Sequence, residues 1–510
     1  MAISSPAPLA QARATTGITG LDNILGGGFP SGHLYLIEGS PGSGKTTLGL
    51  QFLLDGRARG EVCLYLTLSE TRQELNIVAG SHGWSLDKID IFELVNEEGL
   101  SPDAEQSILL PAEVELGETM RAVMAKVRDL KPQRVVFDSL SEMRLLAQDS
   151  LRYRRQILAL KHFFAAEGIT VLMLDDLSGE GGSPDLQLHS IAHGVLTLHQ
   201  SMADYGAVRR HLRIVKMRGV RYRGGEHDLS LDTGGLVVFP RLVAAEHRGD
   251  PESTLVSTGT AELDALLGGG LARAGNTLLV GPSGAGKTTT AISAVVAALR
   301  RGEKAVYYIF DEGIGTLLHR CRALNMPIDA FIASGQLELL PLDPGETSPG
   351  QFSHMVRHAV EHRGVSTVAI DSLNAYLQSM PGSKFLLLQM HELLSYLNQK
   401  GVVTLLVLGQ HGLVGEGRSD VDLSYLSDTI VLFRYFEVRG QLLKAVSVIK
   451  SRTSLHEATI REFRLAPGQG VEVGAVLSDF VGVLGGVTAY EGRIEMMGEA
   501  DIRRDTDRGG

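Results

Sequence analysis

The sequence predicts an α/β fold built as two tandem domains, each a mostly parallel, twisted sheet flanked by helices. Two observations carry this. The chain repeats itself: Thr16–Gly28 (TGITGLDNILGGG) returns as Thr258–Gly270 (TGTAELDALLGGG), and a period that long marks a duplicated domain, not a solenoid of short units. Within each copy the apolar runs are short and continuous, as in strands buried on both faces of a parallel sheet.

The elements follow in order. Leu34–Glu38 reads as a strand ending at a glycine-rich loop, and Thr46–Leu54 as a helix with Leu48, Phe52 and Leu53 at helical spacing. Val62–Thr67, Arg134–Asp138 and Thr170–Leu174 are further strands. Their counterparts are Thr277–Val280, Ala305–Phe310, Thr367–Asp371 and Val403–Leu408. Leu68–Glu70 matches Phe310–Glu312 at the offset of the first repeat. Arg134–Leu140 matches Thr367–Leu373, and Lys216–Arg218 matches Lys450–Arg452, at a shorter offset. The second copy therefore has the shorter middle loop. The expected organisation is a flexible N-terminus (1–13), a first domain (14–243), a polar linker interrupted by Pro251 (244–257), a second domain (258–475), and a C-terminal segment with a charged, mobile tail (476–510).

Composition narrows the function. A chain of 510 residues suits two or three domains. Its net charge of −11 argues against a bulk polyanion binder. With 44% hydrophobic and 21% charged residues it belongs with globular, not disordered, proteins. Apolar runs such as Val402–Leu408 fall far short of the ~20 residues a membrane helix needs. The first residues show no basic start followed by an apolar stretch, so no secretory signal is expected. Only Cys63 and Cys321 are present, which excludes a disulfide framework or a cysteine zinc site and points to a cytoplasmic location.

The chemistry lies in GxxxxGK[ST], found at Gly39–Thr46 and again at Gly281–Thr288, each after a strand and opening a helix. Glycine lets consecutive backbone N–H groups face a phosphate, and the helix N-terminus adds to the attraction. The contacts expected with ATP come from Gly42, Ser43, Gly44, Lys45, Thr46 and Thr47, and from Gly284, Ala285, Gly286, Lys287, Thr288 and Thr289. Lys45 and Lys287 reach the β and γ phosphates, and the Thr46 and Thr288 hydroxyls reach Mg²⁺. Asp138 and Asp371 end apolar strands and are followed by Ser-Leu, the Walker-B pattern that holds the magnesium shell through water. Glu70 and Glu312 stand just past the second strand, where a carboxylate polarises the attacking water. Asp311 precedes Glu312, whereas Ser69 precedes Glu70, so the second copy has an acidic pair and the first a single carboxylate. Lys216 with Arg218, and Lys450 with Arg452, share a strand face at i and i+2, a phosphate clamp able to act on a neighbouring subunit's nucleotide.

The duplication, both P-loops, the acidic residue after the second strand, the strand ends RVVFDSL and TVAIDSL, and the late KMRG and KSRT strands together resemble the KaiC family of RecA-like ATPases. SDTIVLFRYFEVRG (Ser427–Gly440) and HEATIREF (His456–Phe463) add to the likeness, which covers residues 14–465. The resemblance implies a double-ring homohexamer with nucleotide between subunits, the first ring a slow ATPase. It implies further nucleotide contacts at Ser81, Met217, Ser451, Ser454 and His456. It also implies an autokinase in the second domain, with Ser424 as phosphate acceptor. Tyr425 stands where the family's threonine would be, and its longer side chain does not keep in-line geometry built for threonine. A KaiB-like partner is compatible with the resemblance. The segment Leu477–Gly492 does not resemble the segment that binds KaiA, so KaiA is not expected.

Two other classes share this core. A RecA-like or replicative-helicase-like motor needs a cationic channel, but the candidate inner loops Ser178–Leu188 and Gly412–Leu423 are more acidic than basic, and Arg152, Arg154 and Arg155 read as a helix face. DNA is therefore not the expected partner. The remaining alternative is a nucleotide-gated scaffold without significant catalysis.

Overall fold

The computed structural model describes residues 12–94, 112–147, 149–177, 186–202, 206–247, 249, 251–252, 254–378, 386–410, 425–438, 440–483 and 489–490. The chain divides into two compact units, Met1–Arg241 and Leu242–Gly510.

The first unit is built on a nine-stranded sheet. From one edge the strands run Gly235–Phe239, Glu226–Asp232, Arg209–Met217, Gly194–Ser201, Leu34–Gly39, Thr170–Asp176, Arg134–Asp138, Cys63–Thr67 and Asp90–Glu93. The last six are parallel. The first three extend the sheet by antiparallel pairing. The second unit repeats this order with Gly275–Gly281 in the place of Leu34–Gly39, joined to Val403–Gly409 on one side and Thr429–Val438 on the other. Both sheets are thus mostly parallel with helices on their faces, as expected of tandem RecA-like domains.

Side-chain alternation explains the layers. Along Leu34–Gly39 successive residues face opposite sides. Tyr35 and Ile37 pack with Leu48, Phe52 and Leu53 of the helix Lys45–Ala58. Leu34 and Leu36 pack with Met120, Val123, Ile157 and Leu160 of the helices Ala112–Leu130 and Ser150–Ala166. Arg152, Arg154 and Arg155 lie on the latter helix.

Helix starts are set by glycine. Gly44 (φ 104°) and Gly286 (φ 108°) precede the helices Lys45–Ala58 and Lys287–Arg300 in the left-handed region. A Cβ at Gly286 would stand 2.5 Å from Phe463 Cε1, so a larger residue is excluded there by space as well as by backbone.

One buried cation is peculiar to the first unit. Arg134, 1% exposed, ion-pairs with Glu61 and with Asp55 at 3.1 Å and donates to the carbonyls of Thr15 and Phe52. Thr367 occupies the equivalent position in the second unit.

Candidate functional site

Each glycine-rich turn is delivered by its strand into the top of its own sheet, and the neighbouring strands end around it. In the first unit Lys45 Nζ donates to the carbonyls of Gly39 (2.9 Å) and Ser40 (3.0 Å). It also ion-pairs with Asp176 at 2.7 Å. Thr46 Oγ1 lies 3.4 Å from Asp138 Oδ2. The same carboxylate oxygen accepts from the Tyr65 hydroxyl at 2.5 Å. Burial pushes the Asp138 carboxyl up, against the opposing hydrogen bond from Tyr65.

Glu70 hangs from a short turn. Leu68 N–H donates to the Asp138 carbonyl at 2.7 Å, and Thr67 Oγ1 accepts from the Glu70 N–H and donates to its carbonyl. Glu70 Oε2 is buried with no hydrogen-bond partner among the described residues, as is Ser43 Oγ. Burial pushes the Glu70 carboxyl up to about 7, and the charges of Asp138, Glu74 and Asp176 add to it while Lys45 opposes. Asp176 thus adds a carboxylate to the site that sequence had not offered beside Glu70 and Asp138.

The second unit keeps the frame and changes the charges. Phe310 N–H donates to the Asp371 carbonyl at 2.7 Å, and Tyr307 donates to Asp371 Oδ2 at 2.7 Å. Burial raises the Asp371 carboxyl, opposed by hydrogen bonds from Thr288 and Tyr307. Ser372 Oγ donates to Asp311. Glu312 is held by both ends of the Arg320 guanidinium, at 3.0 and 2.6 Å. A cavity of about 610 Å³ opens here, lined among others by Lys287, Thr288, Asp311, Glu312, Arg320 and Asp371.

Lys216 and Arg218 do not join the first pocket. The strand register shows why. Met217 pairs with Gly194, and Gly194 with Tyr35, whereas the phosphate loop begins at Gly39, about 13 Å farther along that strand. Lys216 instead donates to the Ala192 carbonyl (2.9 Å) and Arg218 to that of Ser190 (2.8 Å). Lys450 and Arg452 stand alike: Ser451 pairs with Thr429 and Thr429 with Thr277, four residues before Gly281. Lys450 donates to the Ser427 carbonyl, and Arg452 lies 3.8 Å from Asp428. Ser451 and Ser454 hydroxyls are 2.9 Å apart, and Ser454 donates to the Leu267 carbonyl. Met217 is buried, His456 half-buried, and Ser81 is exposed with its hydroxyl on the Val78 carbonyl. Ser424 lies outside the described residues; Tyr425 is 50% exposed.

Sequence reasoning missed four residues. Tyr65 and Tyr307 carried a signal, since they recur at equivalent positions. Asp176 did too, as an acid closing an apolar strand. Arg320 had none: it follows Glu312 by eight residues, on a helix that begins only after Glu312.

The KaiC ATPase family profile matches residues 14–243 and again 256–478. Circadian clock protein KaiC3 of Synechocystis is 27% identical over 94% of this chain and 95% of its own length. Circadian clock oscillator protein KaiC of Parasynechococcus marenigrum is 26% identical over 92% of each chain. The protein of that name from Synechococcus elongatus is 26% identical over 90% of this chain and 88% of its own. No helix among the described residues is long and apolar enough to cross a membrane. Two matched halves, each carrying the same strand, glycine turn, lysine and strand-end aspartate, make this chain a two-domain member of the KaiC family of ATPases.

Proposed function

We propose that both halves bind and hydrolyse ATP with Mg²⁺, that the chain works as a homohexameric signalling ring, and that the second half also transfers phosphate to Ser424. The observation that carries the reading is the twofold recurrence of one constellation: Lys45, Thr46, Asp138 and Glu70 against Lys287, Thr288, Asp371 and Glu312. The orphaned, buried Ser43 Oγ and Glu70 Oε2 fit a polar ligand at the first turn.

Magnesium, when bound, neutralises charge shared by the β and γ phosphates. Thr46 with Asp138, and Thr288 with Asp371, are the residues that would hold it. The lysines and backbone N–H groups bind and orient the phosphates. Tyr65 and Tyr307 fix the aspartate carboxylates. Ionised Glu70 or Glu312 accepts a hydrogen bond from the attacking water and takes its proton. For autophosphorylation the Ser424 oxygen bonds to the γ phosphorus, the bond to the β–γ bridging oxygen breaks to leave ADP, and the hydroxyl proton passes to Glu312.

The ring reading rests on strand register. Lys216, Arg218, Lys450 and Arg452 stand too far along their sheets to serve their own turns, so any nucleotide they clamp belongs to another subunit. Release of ADP and phosphate from the wild-type chain, lost in the Glu70→Gln/Glu312→Gln double variant, tests the enzyme. No turnover by the wild-type chain, with the double variant behaving identically, would refute it in favour of a scaffold. Mass spectrometry after incubation with Mg·ATP tests Ser424.

A further inference from the structure

The two P-loop lysines are neutralised differently. In the first unit the strand Thr170–Asp176 runs parallel to Leu34–Gly39 and pairs residue for residue, ending with Asp176 opposite Gly39. That register puts the Asp176 carboxylate on Lys45 at 2.7 Å, with the lysine side chain 9% and the aspartate 38% exposed. Ser141 steadies the acid, its hydroxyl 3.3 Å from the other carboxylate oxygen and 3.4 Å from the Asp176 backbone nitrogen. In the second unit the same ladder ends with Gly409 opposite Gly281. Lys287 Nζ donates to the Pro282 carbonyl at 2.7 Å and has no carboxylate at ion-pair distance among the described residues. Burial brings its ammonium down to about 8, opposed by Asp371.

An anionic oxygen 2.7 Å from the ammonium occupies the place a phosphate oxygen takes. An incoming phosphate must break that partly buried pair. It also meets a carboxylate that has lost its counter-charge beside Glu70 and Asp138, whose electrostatics Asp176 already raises. We propose that Asp176 is a resident competitor for phosphate at the first site and lowers that site's affinity for nucleotide, a brake the second site lacks because Gly409 stands in its place. This rests on reading Gly39–Thr47 as a phosphate cradle.

The test uses the full-length chain and a fluorescent ADP in EDTA, so that no metal takes part. A Lys287→Ala background leaves the first site to be read. Adding Asp176→Asn, nearly isosteric, is expected to tighten ADP about fivefold and to flatten the salt dependence of the dissociation constant. The reciprocal change is made in a Lys45→Ala background. Gly409→Asp should weaken ADP at the second site by a similar factor, with Gly409→Ala as the control for bulk. A Cβ at Gly409 meets only the Asn374 side chain, Oδ1 at 3.4 Å and Cγ at 3.9 Å. Unchanged or weaker binding in Asp176→Asn, or a Gly409→Asp chain that binds like Gly409→Ala, overturns the proposal. If ADP binds to neither background, the cradle reading itself fails and takes the proposal with it.

Discussion

Replacing Arg320 by alanine is expected to cripple the second site through Glu312 while leaving nucleotide binding nearly intact. The guanidinium grips both carboxylate oxygens, at 3.0 and 2.6 Å, and the two side chains are 32% and 25% exposed. Each oxygen keeps a free lone pair, so the grip orients the carboxylate without preventing it from accepting a water hydrogen. Without Arg320 the carboxylate rotates freely in a cavity that also holds Asp311 and Asp371. A positioned general base contributes about 10²–10⁴ in rate, and loss of its orientation should remove a good part of that, so kcat is expected to fall roughly 10–100-fold. The assay is phosphate release in a Lys45→Ala background, with the ADP dissociation constant measured in parallel and expected to change less than about threefold. Arg320→Lys restores charge but not the fork, and should recover activity partly. A raised KM with unchanged kcat would refute the reasoning and place Arg320 on the nucleotide instead.

The first site should show an acid limb. Glu70 is raised from the ordinary carboxylate range to about 7, so its ionised, base form is present above that pH and is lost as pH falls through it; first-site turnover measured in a Lys287→Ala background should drop between pH 8 and 6, and a flat profile would contradict this. Tyr65→Phe and Tyr307→Phe remove the hydroxyls that hold Asp138 and Asp371 and should raise half-saturating magnesium about tenfold; unchanged metal dependence would show that the hydroxyls only fill space. Arg134→Ala leaves Asp55 and Glu61 without their buried partner and should cost the first unit roughly 3–5 kcal/mol, read as a lower urea midpoint for that unit alone.

Much of the catalytic frame is legible because it is local. A strand, a glycine turn, a lysine and a helix are consecutive in sequence, and the duplication shows each twice. The end of the sheet is less legible. Arg209–Met217 and Gln441–Ser451 begin an antiparallel extension that is harder to read from the sequence, since Arg209–Met217 mixes buried Leu212 and Ile214 with exposed Arg213 and Val215, and only the middle of Gln441–Ser451 is buried. Even the run Leu34–Glu38 hides a polar feature: Glu38 is buried and accepts from Thr197 at 3.0 Å, with His189 2.9 Å away. Asp176 and Arg320 escaped for a related reason. Asp176 meets Lys45 only through the register of two paired strands, and Arg320 meets Glu312 only because the helix Ile314–Ala323 folds back over the turn that carries Glu312.

Subunit complementation tests the central claim most directly. One chain carries Lys45→Ala and Lys287→Ala, and so lacks both phosphate lysines; the other carries Arg218→Ala and Arg452→Ala, and so lacks the cations expected to serve a neighbour. Each alone should be nearly inactive, and co-assembly should restore ATP hydrolysis, because seams that pair an intact P-loop with an intact clamp then exist. Mixtures no more active than the sum of their parts would contradict nucleotide sites shared between subunits.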